Sequence, residues 1–112
     1  MPTNESTTET AWKPAHAVEE HPLKPILDAV LYQVTKGKGE RHGGDVIPFW
    51  NQTWAIVAHD HGLGFLTGQA QKKLMEAVQQ PMNANTEAFE RELIGAIAYL
   101  GMALLYVNKY GR

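Results

Sequence analysis

The stretch Thr86-Glu87-Ala88-Phe89-Glu90-Arg91-Glu92-Leu93-Ile94-Gly95-Ala96-Ile97-Ala98-Tyr99-Leu100-Gly101-Met102-Ala103-Leu104-Leu105-Tyr106-Val107 decides the fold. It opens polar and acidic and then carries no charge for fifteen residues, from Leu93 to Val107. Such a run is too long for one strand and too apolar for a surface helix. The sequence predicts a single helix, capped by Thr86, with acids in its opening turns and Lys109 near its end, where each charge suits the helix dipole. A helix apolar nearly all round needs cover on most sides. Either the few other helices of the chain wrap it or a second copy does. Gly95, Ala96, Ala98, Gly101 and Ala103 allow close helix approach there, and a homo-oligomer is expected.

As a helix, the uncharged run spans about 22 Å at roughly 1.5 Å per residue, against a bilayer core of about 30 Å. A buried or interface helix is therefore expected, with no membrane partner. The polar, acidic N-terminus shows no signal peptide. The chain has 112 residues, enough for one domain with a modest core. With a formal net charge of −2 and basic residues spread along the chain, no nucleic-acid partner is expected. The absence of cysteine excludes disulfides and thiolate metal sites, and a cytoplasmic setting is the simplest.

Upstream, Leu66 to Gln80 reads as a helix stopped by Pro81, with Leu66, Ala70, Leu74 and Val78 as its apolar stripe. Lys72 and Glu76 are four apart on it and can pair on its surface. Before that, Phe49 to Asp60 reads as a helix with Pro48 in its first turn, followed by breaks at Gly62 and Gly64. Trp50 and Trp54 fall four apart on one face, where two indoles either fill a core or stack on a base. His59 and His61, two apart, do not share a helical face and do not chelate from a continuous helix. Leu23 to Gly37 reads as the first helix. Pro25 lies in its first turn, and Ile26, Leu27, Val30, Leu31 and Val34 form its apolar face.

Between the first two helices lies Lys36-Gly37-Lys38-Gly39-Glu40-Arg41-His42-Gly43-Gly44-Asp45. Glycines interleaved with bases can present backbone N–H groups and charge-assisted donors to a phosphate. The spacing is not that of a P-loop. Lys38, Arg41, His42, Gly43 and Gly44 are candidate anion contacts on this basis. The same loop also reads as a solvated connector. Residues 1–22 read as a polar tail with one large aromatic, Trp12, and residues 23–112 as the helical domain. The expected fold is all-α: a small bundle of about four helices around a very apolar C-terminal helix.

Lys73-Leu74-Met75-Glu76-Ala77-Val78-Gln79-Gln80 and Glu92-Leu93-Ile94-Gly95-Ala96-Ile97-Ala98-Tyr99-Leu100 together resemble the core of the MazG-like all-α nucleotide pyrophosphohydrolases. Arg41-His42-Gly43-Gly44 is similar to a turn in phage proteins related to that family. The resemblance implies magnesium held by acids, with Glu76 and Glu92 as the matching metal ligands, and a hydrolase of this kind would place Lys73 against phosphate. The family's other two acids fall on Gln79 or Gln80 and on Gly95, so the implied metal site is weakened. Glu87 and Glu90 form a further Glu-x-x-Glu pair. A second likeness, of Leu74 to Pro81 downstream of a tryptophan helix, is to the phage sponges that sequester cyclic nucleotide immune signals.

These readings converge on a nucleotide-like small molecule bound without hydrolysis. Lys38, Arg41, His42, Gly43, Gly44, Trp50, Trp54, Lys72, Lys73 and Tyr99 are the candidate ligand residues. No cofactor is required on this reading, and magnesium is possible. The alternatives are a magnesium-dependent nucleoside triphosphate pyrophosphohydrolase and an inhibitor that binds a host protein directly, with Trp12 in its contact arm.

Overall fold

The computed structural model describes residues 20–36, 47–80 and 86–112. Among the described residues four α-helices follow one another: α1 Lys24–Thr35, α2 Thr53–His61, α3 Leu63–Val78 and α4 Thr86–Tyr110. A single 3-10 turn, Phe49–Asn51, precedes α2, and no strand occurs among the described residues. The all-α class is as the sequence predicts. Residues 1–19 of the N-terminal tail, residues 37–46, which hold the glycine-basic loop beyond Lys36, and residues 81–85 lie outside the described residues.

Each helix has a local cause. α1 begins with a proline in its first turn, where the missing N–H has no helical partner to lose. The expected helix from Phe49 is instead two pieces. Gln52 adopts an extended conformation between them (φ −76°, ψ 162°). Its side chain is buried and its Nε2 donates to the Ile47 carbonyl at 3.0 Å, tying it back across Pro48. The Gln52 carbonyl then accepts from Ala55 and Ile56 and starts α2. Gly62 alone separates α2 from α3, at φ +87°, so α3 begins three residues before the expected Leu66 and Gly64 lies inside it.

α3 and α4 make the framework. Lys73 meets Glu92 near the connecting segment, and Leu66 shares a cluster with Ala103 far from it, so the two helices run antiparallel. Small side chains set their separation: Ala70 and Ala77 on α3 and Gly95, Ala96 and Ala103 on α4 are buried. The core proper joins Trp54, Ala55 and Ala58 of α2 to Leu66 and Ala103, with Phe49, Trp50, Phe65, Tyr99 and Tyr106 packed around it. α1 lies on α4 and buries none of its residues.

The fold thus covers α4 incompletely. Its buried positions are Gly95, Ala96, Ala98 and Ala103, while Ile97, Leu100 and Leu104 are exposed. The described helices of one chain do not wrap it. α4 is longer than its uncharged run. With 25 residues it is, by length and composition alone, long and apolar enough to cross a membrane, with 22% of its apolar window buried.

Candidate functional site

The candidate residues fall into three places. The first is where α1, α3 and α4 meet. Lys73 of α3 sets its ammonium 3.1 Å from Glu92 Oε1 of α4, both side chains largely buried. Gly95, one turn further along α4, makes room for the pair. A Cβ there would stand 3.3 Å from Lys73 Cδ and 3.2 Å from Gln33 Oε1 of α1. The position expected to have lost a metal ligand is therefore occupied by the aliphatic stem of a lysine. Lys73 neutralises Glu92, so the residue read as a phosphate contact and the one read as a metal ligand serve each other.

Beside this junction a cleft of about 570 Å3 opens between α1 and α4, lined by Ala29, Tyr32, Gln33, Glu87, Glu90, Arg91 and Ile94. Glu87 and Glu90 share it because residues three apart lie on one helical face. Tyr32 is exposed and offers a ring to stack against. Tyr32, Gln33 and Arg91 were not legible as site residues: each is an isolated polar or aromatic position on a helix whose pattern is otherwise apolar or acidic. The cleft falls within the ordinary size of small-molecule sites.

The second place is the outer side of α3. Lys72 and Glu76 line one shallow depression with Gly68, Gln71, Met75 and Gln79. The two do not form the ion pair their spacing allows, and Glu76 stands in a different depression from Glu87 and Glu90. Among the described residues no three histidine, aspartate or glutamate side chains group as metal ligands.

The third place is aromatic. Trp50 and Trp54 meet at 5.3 Å between centroids and 46°, although a backbone break separates them. Stacked rings contact at about 3.5–4 Å, so a base inserted between two indoles needs roughly twice that gap. The pair packs on itself and leaves no slot. Trp54 is buried in the core, its indole N–H without a hydrogen-bond partner. Trp50 is half-buried and carries the Lys109 ammonium 4.9 Å from its ring centre. Tyr110 links the group to α2 through His59, at 5.6 Å. Tyr99 is half-buried against the same core. Tyr110 had one sequence signal, its four-residue spacing from Tyr106, and the two rings meet at 5.0 Å.

Lys38, Arg41, His42, Gly43 and Gly44 lie outside the described residues. Their loop follows α1 directly, starting three residues after Gln33. No protein-family model, no curated protein and no solved structure matches the chain.

Proposed function

We propose that the protein binds a nucleotide or nucleotide-derived signalling molecule without hydrolysing it, as an assembly of identical subunits in the cytoplasm, in the manner of a phage anti-defence sponge. The observation that carries this reading is the Lys73–Glu92 pair seated on Gly95, beside a ligand-sized cleft. The implied hydrolase needs Glu92 free for metal. Here Glu92 is neutralised by a lysine, and a glycine stands where a further acid is expected.

The cleft has the parts a phosphorylated heterocycle requires. Tyr32 supplies a stacking ring, Gln33 an amide for base or sugar edges, and Arg91 a guanidinium fork for phosphate. The glycine-basic loop with Lys38 and Arg41 leaves the end of the same helix that bears Tyr32 and Gln33. Purified protein mixed with a cellular nucleotide pool, washed and denatured should release an intact nucleotide. Release of cleaved product, or of none, overturns the reading.

A second reading keeps catalysis. Glu87 and Glu90 both line the cleft, and on this reading their carboxylates hold magnesium, which polarises a phosphoryl group. It requires pyrophosphate release from nucleoside triphosphates with magnesium, lost in a Glu87→Gln/Glu90→Gln variant.

A further inference from the structure

Five apolar residues form a line along α4, and four of them are exposed. Phe89, Leu93, Ile97, Leu100 and Leu104 follow one another at intervals of four, four, three and four residues, which holds them on one side of the helix. Phe89, Ile97, Leu100 and Leu104 are 38%, 37%, 47% and 51% exposed. Beside the line, α1 contributes Pro25, Ile26 and Ala29, which with Leu93, Ile94 and Ile97 wall a groove. The groove therefore has an apolar floor, and the line continues past its end as a ridge at Leu100 and Leu104.

We infer that this ridge and groove pair two copies of the chain, α4 antiparallel to α4, so that Leu100 and Leu104 of each copy enter the groove of the other. The spacing is symmetric about a point between Ala96 and Ile97. Turning a second helix end for end sets Leu100 opposite Leu93 and Leu104 opposite Phe89, and does so twice, as a two-fold interface requires. The charges select the same direction. Parallel pairing brings Glu90 level with its own copy, whereas antiparallel pairing brings it level with the uncharged part of the partner's helix.

The area suits a dimer. A stable interface removes about 800 Å2 from each partner, of which about 520 Å2 is apolar in a homodimer. A fully exposed aliphatic side chain presents roughly 100 Å2, the area that follows from its transfer free energy. The exposed residues of the line with Ile26 supply about two fifths of that apolar portion. Half-buried Leu93 and Ile94 with Pro25 and Ala29 extend it.

This pairing rests on the subunit-assembly part of the proposed function and completes its site. The apolar groove and the polar cleft share Ala29, Glu90 and Ile94, so they are one continuous depression. A partner seated in the apolar half closes one end of the polar half.

The test uses the full chain, which has no cysteine of its own. Native mass spectrometry and sedimentation at micromolar concentration should give two copies, and Leu100→Glu should give one copy with unchanged helical circular dichroism. If Leu100→Glu does not fold, cross-linking decides. A Phe89→Cys/Leu104→Cys variant should join two copies on oxidation or with a short bis-maleimide, and Leu104→Cys alone should not. A wild-type monomer, cross-linking of Leu104→Cys alone, or a folded Leu100→Glu variant that stays paired overturns the proposal. So does flotation of the wild-type protein with phosphatidylcholine–phosphatidylglycerol vesicles in place of pairing, which makes the line a lipid-facing surface. Subunit count is read independently of nucleotide retention, so failure of one leaves the other standing.

Discussion

Lys73 Nζ lies 3.1 Å from Glu92 Oε1 across the α3–α4 interface, with the two side chains 18% and 23% exposed. Salt bridges at the surface contribute ~0.2–1 kcal/mol, and breaking a fully buried one costs ~3–5 kcal/mol by stranding a charge. This pair sits between. Lys73→Met and Glu92→Gln should each destabilise by about 1–2 kcal/mol in urea titrations. The double variant should lose less than the sum, since removing both leaves no charge stranded. Strict additivity would show that the two side chains act separately.

Gly95 should tolerate one carbon and no more. A Cβ meets Gln33 Oε1 at 3.2 Å and Lys73 Cδ at 3.3 Å, both on flexible side chains that can yield by a few tenths of an ångström. Replacing a mid-helix glycine with alanine gains ~0.8–1 kcal/mol of helix propensity. For Gly95→Ala that gain offsets the crowding, and the net change should stay within about 1 kcal/mol of zero. Gly95→Leu should cost about 1–3 kcal/mol by overpacking. Thermal unfolding of both variants separates a steric limit from a merely conformational one.

The sequence made α4 legible because fifteen uncharged residues admit few other conformations. Its orientation was not legible, since leucine and alanine both count as apolar in a periodicity argument. Close approach to α3 selects the small side and leaves Ile97, Leu100 and Leu104 outside. The break at Gln52 was hidden for a related reason: its side chain bonds to the Ile47 carbonyl, and no spacing rule records that. The Trp50–Trp54 contact survived that break because the 3-10 turn folds Trp50 back over α2. In the site, Lys73 and Glu92 were both singled out. Their pairing was not, because it depends on how α3 lies along α4. Whether Lys38 and Arg41 join them falls outside the described residues.

Two glycines should respond oppositely to the same substitution. Gly62 holds φ +87° between α2 and α3, where a Cβ meets no neighbour but strains the backbone. Gly62→Ala should cost about 1–3 kcal/mol. Gly68 lies inside α3 with open space around it, so Gly68→Ala should stabilise by ~0.5–1 kcal/mol. Melting both variants under one condition checks the sign of each. A Gly62→Ala variant as stable as the wild type would mean that the α2–α3 junction adopts another conformation in solution.

Trp54 and Trp50 differ in what they hold. Trp54 is 7% exposed in the core, and its Nε1 donor has no partner. Trp54→Ala opens a cavity and should cost ~3–5 kcal/mol. Trp54→Phe keeps most of the ring and removes the orphan donor, whose burial itself costs ~1–3 kcal/mol. It should therefore lose less than half as much as Trp54→Ala. Trp50 lies at the edge of the cluster, with Lys109 Nζ at 4.9 Å over its ring. Lys109→Met should remove ~0.5–1 kcal/mol of cation–π attraction. Because Trp50 is the indole beneath that ammonium, the variant should also change tryptophan emission. A Trp50→Phe background, which removes that indole, should abolish the emission change. If Lys109→Met alters emission equally in both backgrounds, the lysine is not over Trp50 in solution and α4 does not end where the aromatic cluster places it.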